Sequence, residues 1–260
     1  MPKPRKLCAA ACFAALLALL LAACSGQEGG HALPDRPAVE SGERQFTAPS
    51  DGDLIAIFDT SLGEVRAVLY PDAAPMAVEN FVGLARTGYY NDTVIWRSEY
   101  GFAVQGGDAT GTGTGASTIW SNNPYPLEAS ADLRHYAGAL CAAFASGGDV
   151  SGGNSQFYFV TALPGSVNKS MQEELAANGY TESQIAAYAD AGGLPYLDNT
   201  DTVFGQVYQG MEVVDAMACA PTGVNEDGSD TFRPQEDIVI RTVTITTYPG
   251  PEPATGESAE

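Results

Sequence analysis

Histidine, cysteine and positive charge are all scarce in this 260-residue sequence, and each shortage excludes a class of function. The chain has two histidines, His31 and His135, and no G-x-S-x-G segment, so it does not fit a serine hydrolase. Twelve basic residues are set against 32 acidic ones, which gives a formal net charge of −20. A chain of this charge repels nucleic acid phosphates and anionic lipid surfaces, so we expect neither as a partner.

Motifs for cofactors and metals are missing as well. No lysine follows the glycines between 106 and 115, so they do not form the phosphate-binding loop that precedes a helix, and we interpret them as structural turns. Cys141 and Cys219 are isolated, without C-x-x-C spacing, and make a poor metal site. We therefore expect no cofactor and no metal. Whether these two cysteines pair in a disulfide stays open, and two buried thiols are the simpler interpretation.

The N-terminal residues carry an export pattern. Three basic residues precede an apolar run from Leu7 to Ala23, which is too short for a comfortable membrane span. The run ends in Leu21-Ala22-Ala23-Cys24, which resembles a bacterial lipoprotein signal. That resemblance implies cleavage before Cys24, a lipid on its thiol, and a protein anchored extracytoplasmically to the bacterial cell membrane. A plain signal peptide that happens to contain a cysteine is the alternative.

Composition divides the chain into four parts. Residues 1–23 are the predicted signal peptide, and residues 24–50 are rich in Gly, Pro, Ser and acids, which predicts a flexible tether. Residues 51–247 form the predicted folded domain, and 248–260 a disordered tail.

Hydrophobic alternation predicts a mainly β domain. Ile55 and Ile57 alternate before a turn at 61–63, and the alternation resumes at 65–69, which indicates a hairpin. Further strands are predicted at 93–96, 103–105, 139–143, 156–161, 202–207 and 238–246. Apolar residues at helical spacing predict helices over 75–85 and 212–218. Many short strands with few helices favour a closed antiparallel barrel.

Residues 166–193 differ from the rest of the domain. Good helix formers fill 171–177 and 184–191, and Thr181 and Gln184 have the spacing of a capping box. The segment predicts a helical hairpin inserted into a loop of the β domain.

Seven blocks of residues stand in a characteristic order between 55 and 247. They are Thr60-Ser61-Leu62-Gly63-Glu64, Ala74-Pro75-Met76-Ala77-Val78-Glu79-Asn80-Phe81, Phe102-Ala103-Val104-Gln105-Gly106-Gly107-Asp108, Gly111-Thr112-Gly113-Thr114-Gly115, Asn154-Ser155-Gln156-Phe157-Tyr158, Val203-Phe204-Gly205-Gln206-Val207 and Gly210-Met211-Glu212-Val213-Val214. In this order they resemble the cyclophilin-type peptidyl-prolyl cis-trans isomerases. The resemblance implies a closed eight-stranded antiparallel barrel capped by two helices. It also implies an enzyme that acts on proline-containing exported proteins and assists their folding, and we expect it to be a monomer.

The implied reaction sets clear chemical needs. Rotation about a peptide bond meets a barrier of about 18–20 kcal/mol, because resonance gives the C–N bond partial double-bond character. A catalyst must bind the twisted amide better than either planar form, and it needs neither a nucleophile nor a metal. A hydrogen-bond donor at the pyramidal prolyl nitrogen and an apolar pocket for the proline ring meet those needs.

The resemblance assigns these roles to particular residues. Arg97 matches the family's catalytic arginine, and its always-charged guanidinium offers a rigid fork of donors. Phe102 and Gln105 match the aromatic and amide residues that complete the catalytic centre. The substrate-binding positions carried over are Ala142, Ala143, Gln156, Tyr158, Tyr196, Leu197 and Asp201. Taken alone, Arg97 also suits a strand surface, and the apolar positions also suit a core.

Some positions depart from the family pattern and leave substrate preference open. They are Trp96, Ala103, Phe144, Tyr158, Tyr196 and Asp201. A non-catalytic module on the same scaffold, which binds proline-containing peptides or acts as a chaperone, is the alternative function. Because the segment 166–193 directly precedes Tyr196, we expect it to border the groove and to gate substrate entry.

Overall fold

The computed structural model describes residues 30–144 and 152–250, and an antiparallel sheet of nine strands forms its centre. These strands are β1 (Leu54–Thr60), β2 (Gly63–Leu69), β3 (Thr93–Ile95), β4 (Arg97–Glu99), β5 (Ala103–Gly106), β6 (Ala139–Ala142), β7 (Phe157–Val160), β8 (Thr202–Gln209) and β11 (Ile238–Thr247). Their order across the sheet is β3-β11-β1-β2-β8-β6-β7-β5-β4.

The sheet closes at Trp96. The strands β3 and β4 lie at opposite ends of the order, yet this one residue separates them in the chain, so the sheet curls into a nearly closed barrel. The backbone N–H of Trp96 donates to the carbonyl of Gln105 at 3.1 Å and continues the pairing toward β5. The predicted mainly β barrel is confirmed. The count is nine instead of eight because Trp96 divides one bent strand into two.

Side chains alternate between the two faces of the barrel wall, as the strand period of two requires. On β1, Phe58 faces an inner cluster that also holds Phe81 and Val214 from two capping helices. The neighbouring Ile57 belongs to a second cluster on the outer face, where Phe102 and Leu197 are partly buried against it. The outer face therefore carries the residues that the family resemblance assigns to the site.

Two helices cap the barrel where the sequence predicts them. The helix α1 (Pro75–Arg86) begins with proline, whose missing N–H costs nothing at that position, and the N–H groups of Met76 and Ala77 donate to the Glu128 carboxylate at 3.0 and 2.9 Å. The helix α4 (Met211–Ala218) follows Gly210. The φ of Gly210 is +87°, and a Cβ there would lie 2.3 Å from the carbonyl oxygen of Glu64, so only glycine fits.

The predicted helical insertion is present as α2 (Lys169–Ala177) and α3 (Glu182–Ala191). The side chain of Asn168 caps α2, and Thr181 and Gln184 form the predicted capping box of α3. The hairpin buries Leu175, Tyr188 and neighbouring side chains in a small cluster of its own around Tyr136.

A buried carboxylate ties this insertion to the barrel. Oδ2 of Asp198 accepts hydrogen bonds from the hydroxyls of Tyr180 and Tyr188 at 2.9 and 2.7 Å. Its Oδ1 accepts the backbone N–H of His135 at 3.0 Å and lies 2.8 Å from Nδ1 of the same residue. The side chain of Asp198 is 1% exposed. One acid therefore joins α3, the connection between α2 and α3, and the segment before β6.

The polar N-terminal segment is less free than its composition predicts. The guanidinium of Arg36 binds the Asp215 carboxylate at 2.6 and 2.8 Å, and it also donates to the carbonyls of Thr161 and Ala162. Gln45 is 5% exposed and bonds to Arg134 and Gln206. From residue 31 the predicted tether is thus held against the barrel, because these buried polar contacts connect residues distant in sequence.

Several sequence predictions lie outside the described residues. They concern the signal peptide 1–23, the lipidation of Cys24, the tether at 24–29 and the tail from residue 251. Within the described part of the chain, Cys141 and Cys219 are buried thiols that are not bonded to each other. No helix in that part is long and apolar enough to cross a membrane.

The sequence analysis missed one element, a small hairpin of β9 (Thr222–Val224) and β10 (Asp230–Pro234). It stands apart from the barrel sheet and pairs Val224 with Asp230 and Thr222 with Pro234. Its strands are short and polar, so they lack the apolar alternation by which the others were predicted.

Removing the carboxylate of Asp198 is expected to destabilise the protein strongly. In Asp198→Ala, two tyrosine hydroxyls and the His135 ring lose a buried partner, and we expect the free energy of unfolding to fall by about 3 kcal/mol or more. Urea unfolding followed by circular dichroism measures this change. Glu173→Ala, on the exposed surface of α2, is the matched control and should change stability by about 0.5 kcal/mol or less. Equal stability of the two variants would contradict the role of Asp198.

Candidate active site

A cavity of about 220 Å3 opens on the outer face of the barrel. Its lining residues are Trp96, Arg97, Phe102, Ala103, Gln105, Ala143, Phe144, Tyr158, Leu197 and Asp201. This set brings together all three predicted catalytic residues and four of the predicted substrate-binding residues. The remaining lining residues are Trp96, Ala103 and Phe144, and together with Tyr158 and Asp201 they are five lining positions at which the sequence departs from the family pattern.

Strand register explains why three of these residues meet. Arg97 on β4 lies opposite Gln105 on β5, and Gln105 lies opposite Tyr158 on β7. Residues directly opposite each other in an antiparallel sheet place their side chains on the same face. The three side chains therefore form one row across the outer face of the barrel.

Three predicted substrate-binding residues do not line the cavity. Ala142 is buried in the inner cluster, because it precedes Ala143 on a strand and so faces the opposite side of the wall. Gln156 is 8% exposed and lies behind Gln105. Tyr196 is 60% exposed, within the short 3-10 turn Pro195–Leu197, and does not line the cavity, although it lies close enough to Glu99 and Arg97 to interact with their charges.

The helical insertion does not reach the cavity either. No residue from 166–193 lines the cavity, and the first lining residue after the insertion is Leu197. The insertion contacts the site indirectly, since Asp198 binds Tyr180 and Tyr188 of the insertion and directly follows Leu197. The expectation that the insertion borders the groove is therefore wrong, because its helices pack around Tyr136 instead.

The guanidinium of Arg97 is held by three neighbours. Its Nη2 lies 2.5 Å from Oε2 of Glu99, and its Cζ lies 5.0 Å from the ring centroid of Phe102 and 5.9 Å from that of Phe232. Sequence reasoning missed Glu99 and Phe232. The strand period could have revealed Glu99, which stands two residues after Arg97 on the same face, whereas nothing in the sequence pattern reveals Phe232.

The side-chain amide of Gln105 is oriented by Gln156, which does not line the cavity. Its Nε2 donates to Oε1 of Gln156 at 3.0 Å, and Nε2 of Gln156 donates to the carbonyls of Gly113 and Gly115 at 3.1 and 2.7 Å. Gln156 therefore supports the site without lining the cavity. Its two carbonyl partners belong to the glycine-rich loop that the sequence analysis interpreted as structural turns.

Asp108 shapes that glycine-rich loop. Its carboxylate accepts the backbone N–H groups of Thr110, Gly113 and Gly115 at 2.7, 2.6 and 3.1 Å. Burial alone would raise the pKa of Asp108, but the hydrogen bonds from Thr110, Gly115 and Gly113 together lower it. The loop is thus built around an internal anion and offers its N–H groups to that carboxylate.

A second carboxylate, that of Asp201, lines the cavity itself. The hydroxyl of Tyr158 donates to Oδ2 of Asp201 at 2.8 Å. Burial raises the pKa of Asp201 above its usual value, against the opposing effect of the Tyr158 hydrogen bond. The cavity therefore combines the guanidinium of Arg97, the carboxylate of Asp201 and a wall of apolar side chains.

A larger cavity of about 490 Å3 lies elsewhere, between the N-terminal segment and the barrel. Its lining includes Phe46, Tyr208 and Met211, and the one arginine there, Arg36, is already bound to Asp215. None of the predicted catalytic residues lies in it. Among the described residues, no cluster of three His, Cys, Asp or Glu side chains could hold a metal ion.

The buried carboxylate of Asp201 predicts a pH-dependent stability. Because its pKa is raised in the folded state, its ionised form destabilises the fold, and that cost disappears as the pH falls through the folded-state pKa. We expect Asp201→Asn to be more stable than the native protein at pH 7. In urea unfolding at decreasing pH, the two free energies of unfolding should converge towards about pH 4.

Asp108→Asn serves as the contrasting variant. The pKa of Asp108 is lowered, so its ionised form stabilises the fold, and this contribution is lost as the pH falls through the folded-state pKa. The variant should be less stable than the native protein at pH 7, and its deficit should shrink in acid. An advantage of Asp201→Asn that grows towards low pH would overturn the interpretation of Asp201.

Known proteins resemble the chain across this barrel. The family model described as cyclophilin type peptidyl-prolyl cis-trans isomerase/CLD matches residues 55–245. A Staphylococcus saprophyticus protein named as a peptidyl-prolyl cis-trans isomerase is 36% identical over 199 residues, which are 76% of this chain and 95% of that protein. A similarly named Staphylococcus haemolyticus protein is 34% identical over 195 residues, or 75% of this chain and 92% of that one.

A solved structure supports the fold. The cyclophilin type peptidyl-prolyl cis-trans isomerase of Cryptosporidium parvum, crystallised in the presence of the dipeptide Ala-Pro, superposes with a TM-score of 0.56 at 24% identity. The match covers 74% of this chain and 98% of that one. Since the family model spans the barrel and a relative shares 36% identity over nearly its whole length, this chain belongs to the cyclophilin-type peptidyl-prolyl cis-trans isomerases.

Proposed function

We propose that this cyclophilin accelerates rotation about X-Pro bonds in exported proteins, and so assists their folding, while a lipid on Cys24 anchors it to the cell membrane. The observation that carries the catalytic part is the row of Arg97, Gln105 and Tyr158 beside an apolar-walled cavity on one face of the barrel. A binding module without turnover is not favoured, because the family and the named relatives are isomerases.

The proline ring enters the cavity and packs against Phe102 and Leu197. Both side chains are partly buried against the outer cluster, so the pocket wall is fixed before substrate arrives. With the ring held, the acyl side of the substrate can turn about the C–N bond. Contacts with the ring thus hold one side of the bond still while the other side turns.

Arg97 stabilises the twisted amide. As the bond rotates, resonance is lost and the prolyl nitrogen regains a lone pair that can accept a hydrogen bond. A guanidinium has five N–H groups, so pairing of Nη2 with Glu99 leaves donors for the substrate. The interaction exists only in the twisted state, so it lowers the barrier without tightening substrate binding. No step transfers a proton.

Gln105 holds the substrate backbone beside this donor. Because Gln156 holds the side-chain amide of Gln105, the other hydrogen-bonding groups of that amide point in a fixed direction. The predicted role of Gln156 as a groove residue becomes a supporting role in this mechanism, since the side chain acts through Gln105.

The membrane anchor rests on the sequence pattern that ends at Cys24. The chain from Cys24 to His31 spans at most about 25 Å when fully extended. The ring of His31 stacks on Tyr100 with centroids 4.1 Å apart, and Tyr100 follows Glu99 at the end of β4. A lipid on Cys24 would therefore keep the cavity side of the barrel close to the membrane surface, where exported chains emerge.

Loss of Arg97 tests the catalytic proposal. In a protease-free assay with a proline-containing tetrapeptide, Arg97→Ala should lower kcat/KM at least tenfold, a loss of about 1.4 kcal/mol or more in transition-state stabilisation. Arg97→Lys should recover only part of the rate, because an ammonium group keeps the charge but not the planar fork.

Arg241→Ala is the matched control for this experiment. Arg241 is 53% exposed, lies on β11 and pairs with Asp59, away from the cavity lining. It should retain the native rate and the native circular dichroism spectrum. An unchanged kcat/KM in Arg97→Ala would remove Arg97 from the mechanism.

Replacement of Cys24 tests the anchor. Native protein expressed in a bacterium should sediment with membranes and incorporate labelled fatty acid, whereas Cys24→Ala should lose the label and leave the membrane fraction, because the acceptor thiol is gone. Cys141→Ala, which changes a buried core thiol, should remain labelled. Labelled Cys24→Ala protein would contradict lipidation at this position.

A further inference from the structure

The β9–β10 hairpin reaches from outside the barrel to the candidate site. Its Phe232 places an aromatic ring centroid 5.9 Å from Cζ of Arg97, within the range of an attractive cation–π contact. Strand β10 packs along β4, which carries Arg97. None of the roles discussed above includes this hairpin.

The hairpin is attached to the loop that supports Gln105. Arg233, next to Phe232, donates from Nη1 to the carbonyl of Gly111. Gly111 belongs to the glycine-rich loop built around Asp108, and the same loop orients Gln156 and hence Gln105. The glycine-rich loop therefore holds the β9–β10 hairpin through Arg233, and it orients the amide of Gln105 through Gln156.

The backbone at Phe232 is strained. Its φ is +55°, a left-handed conformation that is unfavourable for a bulky residue. Its N–H donates to Oδ1 of Asp230 at 2.6 Å, which helps to hold this conformation. Such strain costs about 1–3 kcal/mol and concentrates at functional positions. The conformation directs the half-buried ring of Phe232 towards Arg97 and keeps it from open solvent.

Arg97 needs such support. Its side chain is 31% exposed, and a long flexible side chain of this kind loses considerable rotamer entropy when it is fixed. Phe102 lies 5.0 Å from its Cζ, and Glu99 binds one of its nitrogens. The ring of Phe232 adds a third contact, which comes from a different part of the chain.

We propose that Phe232 is a positioning residue, which holds the Arg97 guanidinium in the orientation that meets the twisted amide. This inference rests on the proposed role of Arg97 as the donor. A positioned donor acts only when the amide twists, so loss of the ring lowers kcat and leaves KM nearly unchanged.

Four variants test the proposal in the protease-free assay. Phe232→Leu keeps an apolar side chain but removes the aromatic ring, and it should lower kcat about threefold to tenfold with KM within twofold of native. Phe232→Tyr and Phe232→Trp keep a ring and should remain within about twofold of the native kcat. Val224→Ala, at a 70% exposed position of the same hairpin, is the matched control and should retain native kcat.

A double variant shows whether the effect passes through Arg97. In an Arg97→Ala background, Phe232→Leu should cause no further loss, because the group that it positions is gone. The NMR signal of Arg97 Nε–H gives a second readout without turnover. It should shift in Phe232→Leu, where the ring current is lost, and stay near its native position in Val224→Ala.

The outcomes separate the two proposals. Native kcat in Phe232→Leu, an equal loss in the Arg97→Ala background, or low kcat in both ring-retaining variants would overturn the positioning role while leaving Arg97 as donor. Full activity of Arg97→Ala would overturn both. If Phe232→Leu fails to fold, Phe232→Met, which also has an apolar side chain without a ring, replaces it in the kinetic and NMR experiments, and native kcat in that variant would overturn the positioning role.

Discussion

The pairing of β4 with β5 is the constraint on which the rest of the site depends. It sets Arg97 opposite Gln105 and, through β7, brings Tyr158 into the same row. A shift of β4 by one residue against β5 would turn Arg97 to the barrel interior and leave Gln105 and Tyr158 without it. Trp96 permits this register, because the chain leaves the edge of β11 and joins the edge of β5 at that residue.

Acidic side chains do much of the structural work around the site. Asp198 binds the insertion, Asp108 shapes the glycine-rich loop, and Glu99 pairs with Arg97. Asp201 reaches the cavity itself and binds Tyr158. Part of the large negative charge of the chain is therefore internal and hydrogen-bonded, which is the condition under which carboxylates are tolerated away from solvent.

Segments outside the barrel sheet add contacts of their own to the barrel and to the site. The N-terminal segment is locked by Arg36 on Asp215, and the β9–β10 hairpin delivers Phe232 to Arg97. The insertion lines no part of the cavity, but its Tyr188 binds Asp198, which directly follows the lining residue Leu197. The barrel thus supplies the row of Arg97, Gln105 and Tyr158, and the β9–β10 hairpin adds a contact to Arg97.

The sequence by itself determined the barrel, both capping helices, the capped helical insertion and the lining residues from Arg97 to Asp201, because apolar periodicity, capping residues and ordered motifs are local signals. Only the tertiary structure decided that Ala142 faces the core, that Tyr196 is exposed beside the cavity without lining it, and that Glu99 and Phe232 contact Arg97. It also decided that residues 31–50 are bound to the barrel. The Arg36–Asp215 contact, for example, joins residues 179 positions apart, and no local pattern encodes which distant partners a buried polar group will find.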